Sequence, residues 1–105
     1  SPLTEEMLYQ ILTQPKNAII KQYELLFAMD DVKLSITDGV YKYIVKLAVE
    51  FSLGARGLRS ICEKLFLDDL YDLPSNNKKK LLKVDIKYAK NKLKDLDFNE
   101  IRSAS

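Results

Sequence analysis

The chain has 105 residues, 47% hydrophobic and 30% charged, with a formal net charge of +2; these values fit one globular core, exclude intrinsic disorder, and call for neither a nucleic-acid nor a membrane partner. With no His and a single Cys, Cys62, an internal disulfide, a structural zinc site and His-dependent nucleophilic catalysis are excluded. No apolar run approaches the roughly 18 residues of a membrane span, and a lone thiol fits a reducing compartment.

The chain starts at Ser1-Pro2 without a Met and reads as a piece of a longer protein. Thr4 followed by Glu5 and Glu6 is an N-cap with acids in the first turn. Met7, Leu8, Ile11 and Leu12 then make one apolar helical face. Pro15 holds Gln14 extended, so the first helix stops near Thr13, and Pro15 itself can open the second. That second helix carries Ile19, Ile20, Tyr23, Leu26 and Phe27 on one side. Val32 to Ile36 alternates apolar and polar, the period of a half-buried strand. Thr37 or Asp38 caps a third helix with a stripe of Val40, Ile44, Leu47 and Phe51, and Gly54 supplies the permissive backbone that ends it.

A fourth helix is expected from about Ala55 to Asp72. Its apolar residues Leu58, Ile61, Cys62, Leu65, Phe66, Leu67 and Leu70 wrap much of the circumference, which makes it central to the core. Residues 74–77 read as a loop, Leu82 to Ile86 as a second strand, and Tyr88 to Leu96 as a further helix. The fold class expected is α+β, mostly helical with a two- or three-stranded sheet. Residues 1–97 are taken as one domain and 98–105 as a flexible tail.

No Gly-x-x-x-x-Gly-Lys-Ser/Thr loop is present, so the chain has no P-loop of its own to cradle a triphosphate. Asp30-Asp31 and Asp68-Asp69 read as a turn and a helix end rather than as acid/base or metal pairs. By itself the chain is not expected to be an enzyme.

One electrostatic feature is unusual. The fourth helix has Arg56 and Arg59 near its start and Asp68, Asp69 and Asp72 near its end. A helix N-terminus prefers acids and a C-terminus bases, and each misplaced exposed charge costs about 0.3–1 kcal/mol. Arg59 has Glu63 four residues on as an ion-pair partner. Arg56 has no acid at helical spacing, and Gly54 and Gly57 flank it, which suits the approach of a phosphate. Pairing of Arg56 with a distant acid such as Asp30 or Glu50 is the alternative.

Residues Gly54-Ala55-Arg56-Gly57-Leu58-Arg59-Ser60-Ile61 resemble the sensor-2 motif of ClpX-type AAA+ unfoldases. Ile11 to Ala18 resembles the segment that opens the small C-terminal subdomain in that family. Lys21-Gln22-Tyr23, Leu26 to Asp30 and Asp72 to Ser75 continue the likeness in register, covering about residues 3–75. HslU shares the sensor-2 arginine, but the continuation Gly57 to Ile61 favours ClpX.

The resemblance implies the small subdomain of an ATP-driven, homohexameric protein unfoldase that serves a ClpP-type peptidase, in a bacterial cytoplasm or an organelle interior. It implies ATP or ADP with Mg in the full-length protein, bound between the large and small subdomains. Arg56 would then reach the phosphates beside Gly54 and Ala55, with Leu12 a candidate adenine contact, and tie nucleotide state to subdomain angle. The partners implied are the large subdomain of the same chain, that of the neighbouring subunit, the peptidase and protein substrates. Tyr41, Tyr43 and Tyr71 are candidates for the docking face. The rival reading is a small nucleic-acid-binding module built on the lysines between 78 and 94.

Overall fold

In the computed structural model, residues 3–14, 18–72 and 80–104 are described. The expected readings at Pro15, at the 74–77 loop and at Leu73 to Ser75 lie outside them.

Helix α1, Glu5–Thr13, opens as its sequence dictates: Thr4 Oγ1 accepts from the Met7 N–H at 3.1 Å. Its inward side is Leu8 and Leu12, both essentially inaccessible. Helix α2, Ile19–Ala28, follows Ala18 in extended geometry. It buries Ile19, Ile20 and Phe27, while Leu26, expected on that face, is 45% exposed. Strand β1 is Lys33–Ile36, with Leu34 inward.

Helix α3, Asp38–Glu50, buries Val40, Ile44, Val45, Leu47 and Ala48. Helix α4, Ala55–Asp72, has the bounds its sequence predicts. It packs against α1, α2 and α3 and against two later helices. Leu58, Ile61, Cys62, Leu65 and Phe66 on it are fully buried. Phe66 receives Tyr23 at 4.9 Å and the edge of Phe27 at 6.3 Å between ring centroids.

Strand β2, Leu81–Val84, lies parallel to β1, with Lys33 opposite Leu81 and Ile36 opposite Val84. The two strands are the whole sheet among the described residues, and α3 and α4 form the crossover that parallel pairing requires. The α+β class is therefore the observed one. The second strand stops two residues earlier than its alternation suggests. Asp85 caps the next helix, α5 (Ile86–Leu93), by accepting from the Tyr88 N–H at 2.8 Å, so Ile86 starts a helix instead of ending a strand.

The expected tail contains a further helix, α6, Phe98–Ala104. Asp97 starts it by accepting from the N–H groups of Asn99 and Glu100 at 3.0 and 3.2 Å. Phe98 stacks on Phe51, with centroids 4.6 Å apart and planes 10° from parallel. Leu96, Phe98 and Ile101 pack on the same apolar core as every other element. No polar or charged residue is buried among the described residues, so the centre of this core is apolar.

Candidate functional site at the start of the fourth helix

The turn from α3 to α4 occupies only Phe51 to Gly54, and its bonds fix how α4 begins. The Leu53 N–H donates back to the Ala48 carbonyl at 2.7 Å and the Ser52 N–H to the Val49 carbonyl at 3.2 Å. These two bonds, with a left-handed residue between, are a Schellman ending. The left-handed residue is Ser52, at φ 54°. Gly54, expected to play that part, does not: no described glycine has positive φ. Leu53, 4% exposed, is the apolar residue that anchors the motif in the core.

Gly54 instead provides the first carbonyl of α4, accepting from the Leu58 N–H at 3.1 Å. The amides of Ala55, Arg56 and Gly57 thus form the first turn, where N–H groups have no carbonyl within their own helix to meet. A Cβ placed on Gly54 would meet no atom within 4 Å, so the space in front of this turn is open. Gly57 is buried, which makes it a helix-packing glycine and leaves Gly54 as the one facing outward. Arg56 is exposed, not drawn into the core. It is engaged within the chain, so its position on the first turn, not want of a partner, is what qualifies it.

Arg59 finds a different contact from the one its spacing suggests. Its Nη1 donates across to Gln22 Oε1 on α2 at 3.4 Å. Arg59, Gln22 and Glu63 rim a groove of about 380 Å³ between α2 and α4, walled by Ile19, Tyr23, Leu26, Leu67 and Leu70. Burial pushes the Tyr23 hydroxyl up to about 12, with the Glu63 carboxylate adding to the rise and the Arg59 guanidinium opposing it. Leu12, considered for adenine, is 0% exposed in the core. It has no surface to offer a ligand; the apolar face that would have touched the base is used for packing α1.

The acids late in α4 are answered by α5. The Tyr88 hydroxyl donates its one proton to Asp69, with the Leu65 carbonyl also within hydrogen-bond reach at 3.0 Å. Lys92 lies 3.8 and 3.9 Å from Asp68 and Asp69 and stands over the Tyr88 ring at 5.5 Å. Burial, then the Asp69 bond, raises the Tyr88 hydroxyl well above its ordinary value. Sequence spacing cannot show this cluster, because its members are some 20 residues apart. Lys90 sits over Tyr43 at 5.8 Å. Two of the lysines proposed for a nucleic-acid stripe therefore serve packing within the fold. Among the described acidic and Cys residues no grouping could hold a metal ion.

Three exposed or half-buried tyrosines separate clearly. Tyr71 is 78% exposed. Tyr41 packs edge-on to Tyr9 at 6.1 Å, and Tyr43 lies under Lys90.

The described residues form six helices and a two-stranded parallel sheet, and the sequence matches a known domain family. Residues 3–87 fit the family model for the C-terminal, D2-small domain of ClpB protein. The chain belongs to this family. It is also similar to relatives named ATP-dependent Clp protease ATP-binding subunit ClpX. Against that of Bacteroides thetaiotaomicron it is 48% identical over 104 residues, 99% of this chain and 25% of the relative. Against that of Porphyromonas gingivalis it is 53% identical over 88 residues, 84% of this chain and 21% of the relative. A Bacteroides fragilis relative gives 47% over 104 residues. The chain thus spans about a quarter of the length of these relatives. It is a small C-terminal AAA+ chaperone subdomain of the ClpX type. Helix α6 lies beyond the residues that the D2-small family model matches. No described helix is long and apolar enough to cross a membrane.

Proposed function

We propose that this subdomain works within an ATP-dependent protein unfoldase and supplies Arg56 to the phosphates of a nucleotide held chiefly by a large subdomain. The observation that carries the reading is the exposed guanidinium on the first turn of α4, next to open space at Gly54. A first-turn amide cluster with its helix dipole and an adjacent arginine suits an oxyanion such as a phosphate. ATP with Mg fits this donor set at its phosphate end. Arg56 and the amides of Ala55 and Gly57 would hold phosphate oxygens there, while the base must find its contacts elsewhere, since Leu12 is buried. The nucleotide supplies the hydrolysable bond; this chain supplies a cation that senses whether that bond is intact. Because Arg56 sits on the helix that touches every other helix of the fold, a pull on it moves the subdomain as one body.

In the same reading the parent forms a homohexameric ring and works with a ClpP-type peptidase. The large subdomain of a neighbouring subunit would cover the α2/α4 groove, whose lining includes the exposed Leu26 and Leu67, with the 78% exposed Tyr71 of α4 as a further candidate.

Arg56→Ala in the full-length parent is expected to keep the fold, weaken nucleotide binding and uncouple ATP hydrolysis from protein unfolding. Wild-type unfolding of a folded substrate by that variant would refute the role. The 105-residue chain, lacking a P-loop, is expected to show no ATP turnover; measured hydrolysis by pure chain would contradict it.

A further inference from the structure

We infer that α6 is a strap that holds the α3–α4 turn in the geometry that aims Arg56, with Phe98 as the positioning residue; this rests on the nucleotide reading of Arg56 given above. Three observations converge. Phe98 is stacked flat on Phe51, the first residue of the turn. Phe51 is followed at once by Ser52, whose φ of 54° is a left-handed conformation that costs a residue with a Cβ energy and that neighbouring contacts must offset. Arg56 comes five residues after Phe51, with Leu53 and Gly54 between them bonded into α3 and α4.

The rest of α6 reaches the same helix. Ile101 and Leu96 line a groove with Ser60 and Lys64, and Ser60 is one helical turn from Arg56 on the same face. Asp97 caps the start of the strap by accepting from its own first-turn amides. Helix α6 lies beyond residues 3–87, which match the D2-small family model, but within the 104 residues aligned with the ClpX relative. It is placed on the one turn that presents Arg56. There it lowers the number of orientations the first turn of α4 can sample, so less ordering remains when the phosphate binds.

The test uses the full-length parent with Phe98→Ala and Phe98→Tyr. Hydrogen exchange at the Leu53 and Leu58 amides reads the turn; nucleotide affinity, measured with a fluorescent ATP analogue without hydrolysis, reads Arg56. Phe98→Ala is expected to speed exchange at those two amides and to weaken nucleotide binding by roughly two- to tenfold, the scale of an aromatic pair. Phe98→Tyr, which keeps the stack, is expected to restore both. In an Arg56→Ala background Phe98→Ala should cost no further affinity.

Unchanged exchange at Leu53 and Leu58 overturns the strap. Faster exchange with undiminished affinity, where Arg56→Ala does lower affinity, overturns the link from α6 to Arg56. If Arg56→Ala itself leaves nucleotide affinity intact, the nucleotide reading fails first and this inference falls with it.

Discussion

At Ser52 the backbone takes φ 54° to close a Schellman turn, and at Asp31 it takes 60°. The Asp31 turn repeats the same bonds: the Val32 N–H donates to the Phe27 carbonyl at 3.0 Å and the Asp31 N–H to Ala28 at 3.0 Å. A left-handed conformation costs a residue with a Cβ roughly 1–2 kcal/mol, of which glycine's greater freedom when unfolded gives back part. Ser52→Gly is therefore expected to stabilise the chain by about 0.5–1 kcal/mol, seen as a rise of a few degrees in Tm; a lower Tm would mean the serine side chain contributes more than its strain. At Tyr88 the hydroxyl meets both the Leu65 carbonyl and Asp69. Tyr88→Phe removes the hydroxyl while keeping the ring, and is expected to cost about 1–2 kcal/mol in a denaturant titration.

Among the elements, α6 carries the sharpest consequence. As a tail it would contribute nothing to stability; as a packed helix it brings Phe98 onto Phe51 and Ile101 onto the core. Ending the chain after Asp97 is expected to lower its stability by about 2 kcal/mol, from one aromatic pair and two half-buried apolar side chains. An unchanged urea midpoint would return these residues to the status of a tail. The α4–α5 contact illustrates a different balance. Lys92 is only about a fifth exposed beside Asp69, yet Asp68 is largely solvated, so the Asp68 pairing adds little. The orientation of α5 is better ascribed to the buried Ala89 and Leu93 and to Tyr88.

For the whole molecule, the pH dependence of stability follows from burial at the centre. Burial pushes the Cys62 thiol from 9.0 up to about 12, with Arg59 opposing. The Tyr23 hydroxyl rises from 10.0 to about 12, and Tyr88 rises as well. Each group is neutral when protonated, and the folded state holds that proton more tightly than the unfolded state does. Above pH 9 the unfolded chain therefore binds fewer protons than the folded one, and stability falls as pH rises. The stabilisation is complete below pH 9 and is lost progressively between about pH 9 and 12. Circular dichroism with denaturant across this range checks it. Cys62→Ala is expected to move the onset up to about pH 10, where Tyr23 takes over.

The helices with one apolar face and the fourth helix were legible in the sequence because their periodicity states what they bury: Thr4 and the stripe Val40, Ile44, Leu47 needed no partner to be read. The likeness around Gly54 to Ile61 likewise pointed to the family to which the chain belongs. Several facts escaped. Phe98 and Ile101 are two apolar residues in a polar stretch, too few to show a period, and only Phe51 and the core make a helix of them. Leu12 and Leu26 look alike on their helical faces, but packing buried one and left the other in the α2/α4 groove. The sequence by itself determined the local helices, the strand positions to within two residues and the place of Arg56 on a first turn, since these depend on neighbours along the chain. Only the tertiary structure decided that Ser52 takes the strain at the α3–α4 turn, what answers the acids of α4, and that α6 reaches back to Phe51, because those contacts join residues whose separation in sequence carries no pattern.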